Sequence, residues 1–361
     1  MKNFWKKNWR NILFTTGACV VFVILSVFLF SYQVAINYAF CGAANLNINP
    51  LQIYTFDVGQ ASANLIVLPN KTTIVIDTGS VGSGDKFLSQ TRYVLKKNGI
   101  TKIDYLFISH SDEDHVGGVE KLLKEFQINK IYRPKILSSL SKKETTEEDF
   151  LKVDSEIYAS AIDAVYSEPN CVVNFISDKS FYIEDVSIYV WAAEKTTYQS
   201  ANYYSPFIRL EYAGKNYLFT GDATQTRENE FVTKYNALNE DFEIDFLYVS
   251  HHGSKYNTGD EFLQLIKPKF AIVSCGQDNY PTRQVVERLN NVGVEKIYST
   301  KESGTIICCE SESGTISVTE ISFSLDTALI VVLIGLCCLV LIKIYCSNEK
   351  NVKYFYNIKS L

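Results

Sequence analysis

The chain contains four histidines, and all of them lie in two short segments that each follow an apolar run. The first segment is "SHSDEDHVGG" (109–118) and the second is "SHHGS" (250–254). A third apolar run ends in Gly221 and Asp222. Imidazole nitrogens and carboxylate oxygens are common ligands of divalent metal ions. Because glycine permits the tight turns that bring such side chains together, the three segments predict one metal site.

The first segment holds too many candidate ligands for one ion. The candidates are His110, Asp112, Asp114 and His115. They cannot all point at one ion, but they can line two adjacent ions with Asp222 as a bridge. Two ions about 3.5–4 Å apart hold a hydroxide and clamp a phosphoryl or carbonyl oxygen. The alternative is an exposed acidic loop with incidental histidines, and the position of every histidine after an apolar run argues against it.

The elements that must position these residues are predicted to be buried strands. "KIDYLFIS" (102–109) has the length and apolarity of a buried strand, and a helix is predicted to begin in "HVGGVEKLLKEFQ" (115–127). Other strand signals surround it, including a hairpin at residues 69–71, and helices are predicted at 86–99, 227–238 and 282–293. Residues 137–168 are polar and predict one or two surface helices, which would be a candidate lid. Two β layers flanked by helices satisfy this pattern.

Composition limits the classes of partner. The chain has 361 residues, 47% of them hydrophobic, and residues 51–342 carry 27 basic against 39 acidic residues. Such an acidic body argues against a tight duplex-DNA surface, which needs clustered Lys and Arg. The nine cysteines form no CxxC pair, so neither a disulfide framework nor a zinc ribbon is expected.

Two uncharged apolar runs lie near the ends of the chain, at residues 11–30 and 327–342. Each is close to the roughly 20 residues that cross a bilayer. Basic residues precede the first run and follow the second, which predicts two spans with both termini cytoplasmic and the middle of the chain extracytoplasmic. The alternatives are a cleaved signal peptide for the first run and a buried core helix for the second.

The motifs resemble those of the metallo-β-lactamase superfamily. "HSDEDH" (110–115) looks like the superfamily signature HxHxDH with Asp112 in place of the second histidine. Four further motifs follow the order found in the extracytoplasmic hydrolase domain of ComEC-type competence proteins: "FDVGQ" (56–60), "IDTG" (76–79), "TGDA" (220–223) and "SHHGS" (250–254). The resemblance spans about residues 52–320. It implies an α+β fold, a four-layer αββα sandwich, which the two predicted transmembrane helices would flank.

The resemblance also implies roles for individual residues. It assigns these metal ligands: His110, Asp112, Asp114, His115, Asp222 and one histidine of the pair 251–252. We favour His252 as that ligand, with His251 as its neighbour or a phosphate contact. Asp57 and Asp77 would orient ligands or order loops, or would only cap turns. Ser205, in an Asn-x-x-Ser motif, would lie beside the site.

Catalytic roles are expected for three residues. Asp114 or another ligand carboxylate would orient the nucleophile, and His251 would contact the phosphate. Lys255 or Ser254 would contact the developing oxyanion, although Lys255 can also be read as an ordinary surface lysine. No histidine lies between His115 and His251, where the superfamily has a further ligand, so one metal position is expected to be ligand-poor.

The sequence thus predicts a membrane-anchored extracytoplasmic hydrolase that uses a metal-bound hydroxide on phosphoesters, with nucleic acids and nucleotides among the substrates. One or two divalent ions are expected, Mn²⁺ or Zn²⁺ with Mg²⁺ as a further candidate. Asp112 replaces an imidazole nitrogen with a carboxylate oxygen, a harder ligand that favours Mn²⁺ and Mg²⁺. The alternatives are a non-catalytic or weakly catalytic metal-binding or sensory module of a membrane complex, and a structural membrane protein. Two spans cannot build a DNA conduit, so the DNA-transport role of competence proteins is not expected here. The sequence does not identify protein partners.

The expected domain organisation follows from these assignments. It comprises a cytoplasmic tail with the first anchor (1–45), the hydrolase domain (46–322), the second transmembrane helix (323–346) and a cytoplasmic tail (347–361).

Overall fold

The computed structural model describes residues 50–238, 242–310, 314 and 316–321. Both predicted membrane spans and both tails lie outside these residues. Within the described ranges, no helix is both long and apolar enough to cross a membrane.

Strands make up most of the regular structure of the described residues. They are β1 (Leu51–Thr55), β2 (Ala63–Val67), β3 (Thr73–Thr78), β4 (Ile103–Phe107), β5 (Ile128–Arg133), β6 (Ile136–Ser138), β7 (Leu151–Val153), β8 (Val172–Phe175), β9 (Lys179–Ile183), β10 (Val186–Trp191), β11 (Phe207–Tyr212), β12 (Lys215–Phe219), β13 (Phe246–Tyr248), β14 (Phe270–Val273), β15 (Lys296–Ser299), β16 (Thr305–Glu310) and β17 (Ile316–Ile321).

The helices lie between these strands. They are α1 (Gly84–Lys97), α2 (Glu113–Val116), α3 (Val119–Glu125), α4 (Glu156–Val165), α5 (Gln225–Leu238), α6 (Asp260–Ile266), α7 (Arg283–Asn291) and α8 (Thr300–Ser303). Two 3₁₀ turns cover Ala201–Tyr204 and Ser250–Gly253. The predicted helices at 86–99, 227–238 and 282–293 are confirmed by α1, α5 and α7.

The strands form two large sheets. The first has the order β17-β16-β1-β2-β3-β4-β5-β8, and the second has the order β15-β14-β13-β12-β11-β10-β9. Each sheet is antiparallel in one half and parallel in the other: β3, β4, β5 and β8 run parallel, as do β12, β13, β14 and β15. Because parallel strands end at the same edge, the loops after β3 and β4 lie together, as do the loops after β12, β13 and β14.

The inner faces of the two sheets pack on each other. Ile74 and Ile76 of β3 belong to one buried cluster with Ile188 of β10 and Phe219 of β12. Their spacing of two residues puts these side chains on one face of each strand. This shared apolar layer fixes the two sheets against each other and so fixes the distance between their loop edges.

The outer faces are covered as well. Val75, which alternates with the inward residues of β3, is fully buried, as are Phe87 and Val94 of α1. On the second sheet, Phe231 of α5 and Phe262 of α6 share one cluster with strand residues. Helices therefore cover the outer face of each sheet, in agreement with the expected layers.

The prediction of one or two helices in residues 137–168 is confirmed for one helix, α4, and wrong for the residues before it. The segment forms β6 and β7, which pair in parallel, and only α4 is an α-helix. Buried Arg133 binds Glu144 at 2.7 Å, and Asp163 accepts hydrogen bonds from the backbone N–H groups of Lys142 and Lys143. These contacts hold the loop between β6 and β7 against α4 in a non-helical conformation.

Candidate metal centre

The predicted ligands converge where the parallel strands end. His110 follows β4, Asp222 follows β12 and His252 follows β13. We call residues 109–115 the first ligand segment and residues 250–259 the second ligand segment. The candidate ligands form two groups, and within each group the ligand atoms lie within 4.8 Å of one another. The first group is His110, His115 and Asp222, and the second is Asp114, His115 and His252. The two groups share His115.

Asp222 is the common neighbour of all four imidazoles. Its Oδ1 lies 3.1 Å from His115 Nε2. Its Oδ2 lies 3.8 Å from His110 Nε2, 3.7 Å from His251 Nε2 and 3.9 Å from His252 Nε2. Metal–ligand bonds of about 2.0–2.2 Å in tetrahedral geometry leave two ligand atoms about 3.3–3.6 Å apart. The four separations lie within about 0.3 Å of this range on either side, so Asp222 and the imidazoles would be the groups that hold divalent ions here.

The donor set fits a metal because two buried nitrogens have no hydrogen-bond partner. The side chains of His110 and His115 are fully buried, and the Nε2 atom of each makes no hydrogen bond within the described residues. A buried polar atom left in this way costs about 1–3 kcal/mol. His115 Nε2 is close to Asp222 but lacks hydrogen-bond geometry. A metal ion would satisfy both nitrogens.

Asp77 and Ser109 set the tautomers of these two histidines. Asp77 accepts hydrogen bonds from the Ser109 N–H at 2.8 Å, the Ser109 hydroxyl at 2.7 Å and His115 Nδ1 at 2.7 Å. With its proton committed to Asp77, the Ser109 hydroxyl accepts from His110 Nδ1 at 2.9 Å. Both imidazoles thus carry their proton on Nδ1 and present the Nε2 lone pair to a metal. Sequence reasoning missed Ser109, whose only signal was its position between a buried strand and a candidate ligand.

The charges of the site reinforce one another. Burial opposes ionisation of Asp222, but His115 and His252 outweigh it and hold the pKa of Asp222 well below its usual value. Burial also opposes charge on His115, but Asp222 and Asp77 raise its pKa well above 6.5, so a metal ion that binds Nε2 would displace a proton from this nitrogen. For Asp114, burial is outweighed by the hydrogen bond to His252, and its pKa is lowered. The carboxylates are therefore ionised at neutral pH, as metal ligands must be.

Close packing explains the Gly-Asp sequence after β12. Gly221 has φ +51°, and a Cβ there would lie 3.0 Å from Ser109 Cβ and 3.1 Å from Ser205 Oγ. The buried Ser205 hydroxyl accepts a hydrogen bond from the Asp222 N–H at 3.1 Å and lies 3.5 Å from His110 Nδ1. Ser205 thus orients the backbone of Asp222.

The structure places His252, and not His251, in the second group of candidate ligands. His252 Nδ1 donates to the Ser274 carbonyl at 2.8 Å, and its Nε2 lies 3.0 Å from Asp114 Oδ2. The His251 side chain is 36% exposed. Both residues have positive φ, at 51° and 56°. This turn puts the buried imidazole among the ligands and leaves its neighbour on the open side.

The remaining predicted residues lie at the rim or farther away. Asp112 is 47% exposed, with Oδ2 3.6 Å from His110 Nε2. Asp57 pairs with Lys86 at 2.6 Å and accepts from the Gly59 N–H, and no hydrogen bond or ion pair among the described residues joins it to a ligand. Lys255 is exposed and, within the described part of the chain, makes no ion pair.

The profile of the Metallo-beta-lactamase superfamily matches residues 56–193 and 201–277 of the chain, which is more than half of its length.

Three curated proteins show similarity to the chain. ComE operon protein 3 of Bacillus subtilis is 26% identical over 320 residues, which cover 83% of this chain and 36% of that protein. Recombination protein 2 of Haemophilus influenzae is 28% identical over 243 residues, covering 66% and 26%. Ribonuclease J of Mycoplasma genitalium is 33% identical over 117 residues, covering 29% and 20%. The chain spans about a third or less of the length of these relatives.

One solved structure with similarity is the metallo-beta-lactamase fold protein YhfI from Bacillus subtilis, with a TM-score of 0.44 and 11% identity over 74% of this chain and 99% of that chain. The similarity to ComE operon protein 3 agrees with the predicted resemblance to ComEC-type proteins. The superfamily profile agrees with the motifs and with the arrangement of strand ends, and the chain therefore belongs to the metallo-β-lactamase superfamily.

Proposed function

We propose that the chain is a metal-dependent phosphodiesterase that acts on nucleic acid. The observation that carries the proposal is the environment of Asp222, whose two oxygens lie 3.1–3.9 Å from four imidazole nitrogens. Two of those nitrogens are buried without any hydrogen bond in the described residues. A structural role for the cluster would leave these groups unsatisfied, whereas binding of divalent ions satisfies them.

Divalent ions bound here would supply Lewis acidity, which acidifies water and neutralises charge on a phosphoryl oxygen. The chain's own groups supply orientation and proton acceptance. Asp114, ionised and 30% exposed, can accept a hydrogen bond from an attacking water. Asp112 and His251 lie on the open side of Asp222, where a phosphate would approach. Lys255, three residues after His252, adds positive charge near this opening.

The choice of phosphodiesters rests on two supports. Paired ions held by a bridging carboxylate are typical of phosphatases and nucleases, and a segment of the chain is 33% identical to a ribonuclease. The acidic body favours a single strand gripped locally over a duplex held by a broad basic surface. The extra carboxylate, Asp112, favours Mn²⁺ or Mg²⁺, with Zn²⁺ as the alternative.

We further propose that the chain is anchored in a membrane. The support is the pair of uncharged runs at 11–30 and 327–342 with their basic flanks. In this arrangement both termini are cytoplasmic, and the hydrolase domain (46–322) lies on the other side.

The test is hydrolysis of bis-p-nitrophenyl phosphate and of single-stranded DNA by the full-length chain with Mn²⁺ or Zn²⁺. In Asp222→Ala and His115→Ala, we expect rates to fall by more than the roughly 10- to 100-fold that loss of an outer-shell partner costs. Asp185→Ala, which changes an exposed carboxylate of the turn between β9 and β10, is the matched control. Equal rates in all four proteins would contradict the proposal.

A second candidate function is a metal-binding or sensory module with little turnover. The position of Ser205 favours this function. Its Oγ lies 3.5 Å from His110 Nδ1, on the side of the ring away from Nε2, so Ser205 adds no ligand beside Nε2. Beyond His115 and Asp222, the group around His110 then relies on half-exposed Asp112. Mass spectrometry of the protein purified without EDTA distinguishes the two: one or two stoichiometric ions per chain support the enzyme, and no stoichiometric metal supports the non-catalytic role.

A further inference from the structure

The most exposed large hydrophobic residue of the described chain lies in the same short segment as a candidate metal ligand. Tyr256 is 72% exposed and belongs to the second ligand segment, four residues after His252. Since consecutive Cα atoms are 3.8 Å apart, the two residues are separated by no more than about 15 Å. Hydrogen bonds from the Ser254 N–H to the His251 carbonyl and from the Asn257 N–H to the Ser254 carbonyl fold the segment, which shortens this distance.

The backbone around this ring is held by two buried or half-buried charges. Arg288 of α7 donates to the carbonyls on either side of Tyr256, those of Lys255 at 3.0 Å and Asn257 at 2.7 Å. It also donates to the Thr258 carbonyl at 2.9 Å. A long arginine side chain is thus committed to fixing three carbonyls of one exposed turn.

Glu228 holds the same turn from the other side. This fully buried residue of α5 accepts from the N–H groups of Thr258 at 2.6 Å and Gly259 at 2.8 Å. Burial raises its pKa to about 7, so the contact is made at an energetic cost. The Asn257 amide adds a bond to the Ala223 carbonyl at 2.7 Å. Tyr256 is therefore an exposed ring on an immobilised backbone.

A cation accompanies the ring. The Lys255 ammonium lies 4.9 Å from the centroid of the Tyr256 ring. An aromatic face beside a cation suits one nucleotide of a single strand, because the base stacks on the ring and the phosphate pairs with the ammonium. Because the backbone is already held, binding has to order only the side-chain torsions of Tyr256, which limits the entropy that a stack costs.

We infer that Tyr256 is a stacking site for a nucleobase next to the scissile phosphate, with Lys255 as its phosphate contact. The inference rests on the proposed function and deepens it: the site selects phosphodiesters that carry bases. Tyr182 provides the comparison, because it is 69% exposed but lies on β9 at the edge of the second sheet, away from the second ligand segment in sequence.

The test is binding by the full-length chain in EDTA, which prevents turnover. The probes are a fluorescein-labelled single-stranded oligonucleotide and an abasic strand of the same length, followed by anisotropy. Tyr256→Ala is expected to weaken binding of the base-bearing strand by about 5- to 150-fold, the range for loss of one base–aromatic stack. Binding of the abasic strand stays unchanged. Tyr256→Phe keeps the ring and wild-type affinity, and Tyr182→Ala leaves both affinities unchanged.

Lys255→Ala is expected to weaken binding of both strands, with a smaller dependence on salt. Equal loss for both strands in Tyr256→Ala, or no loss for either, would overturn the stacking site. Hydrolysis of single-stranded DNA by the wild type, measured in parallel, separates this failure from that of the proposed function. If the wild type cleaves DNA but binds both strands equally, only the stacking site is contradicted. If the wild type cleaves no phosphodiester, both proposals are contradicted.

Discussion

The two ligand segments deliver histidines to one centre but are held in different ways. The first ligand segment is fixed through its side chains, since Asp77 binds His115 directly and reaches His110 through Ser109. In the second ligand segment, the buried or half-buried charges that support it bind the backbone, while His252 and Asn257 donate from their side chains to backbone carbonyls. Glu228 binds two of its N–H groups and Arg288 binds three of its carbonyls.

This difference separates two kinds of support. A carboxylate that touches an imidazole sets the tautomer and the basicity of that ligand. A charge that touches only the backbone sets where the ligand lies and contributes to folding. Asp77 should therefore act on metal affinity, whereas Glu228 should act first on stability.

The largest expected effect is on stability and comes from Glu228→Gln. Burial raises the pKa of Glu228 from 4.5 to about 7. Below pH about 4.5 the carboxyl is protonated in both states. As the pH rises to about 7, the unfolded chain releases this proton first, so the folded state loses stability on the order of 3 kcal/mol. Glutamine does not ionise, so as the pH rises through this window the stability difference should shift in favour of the variant by the same amount. A loss that does not depend on pH is added to it, because the glutamine NH₂ group faces one of the two N–H donors.

Urea unfolding of both proteins at pH 5 and pH 8 measures this shift as a difference, in which the titration of all other groups cancels. Glu261→Gln, an exposed residue of α6, is the control and should show no change with pH. A difference between wild type and Glu228→Gln that stays constant from pH 5 to pH 8 would show that Glu228 is not buried as a costly charge.

The next effect is on metal binding and comes from Asp77→Asn. Oδ2 of the carboxylate accepts from the Ser109 hydroxyl and from His115 Nδ1, and Oδ1 accepts from the Ser109 N–H, so the NH₂ group of an amide must oppose at least one of these donors. Loss of such a partner typically costs 10- to 100-fold in metal affinity. Calorimetric titration with Mn²⁺ or Zn²⁺ measures it. Asp104→Asn is the control, because Asp104 binds Thr73 at the opposite ends of β3 and β4. Equal affinities in the two variants would abolish the distinction between side-chain and backbone support.

The sequence predicted the parts of this site that depend on local signals. Apolar runs that end in His or Asp beside glycine mark strand ends, and parallel strands bring their ends to one edge of a sheet. The supports are nonlocal, so they carried no signal. Glu228 is an ordinary helix residue in sequence, and it binds the second ligand segment only because α5 packs beside it. The helix prediction for 137–168 failed before α4 for the same reason, since the buried pair of Arg133 and Glu144 outweighs local helix propensity there.

The smallest expected effect comes from Asp57→Asn and sharpens the contrast between the two aspartates that precede the histidines. Asp57 and Asp77 both stand in motifs beside glycine, and the sequence offered both as supports of the site or as turn caps. In the structure, Asp57 is 33% exposed and pairs with Lys86, which is 49% exposed. Exposed ion pairs contribute about 0–1 kcal/mol.

Asp57→Asn should therefore change the free energy of unfolding by no more than about 1 kcal/mol. It should change metal affinity by less than the roughly tenfold that marks the lower end for outer-shell partners. A double-mutant cycle with Lys86→Met isolates the pair, and titration of Asp57→Asn with Mn²⁺ checks the centre. A tenfold or larger loss of affinity would mean that the turn at Gly59 transmits strain to the ligands. In that case, an aspartate such as Asp57 could affect the metal ligands without contacting an imidazole, and direct contact would not explain why Asp77 matters to metal binding.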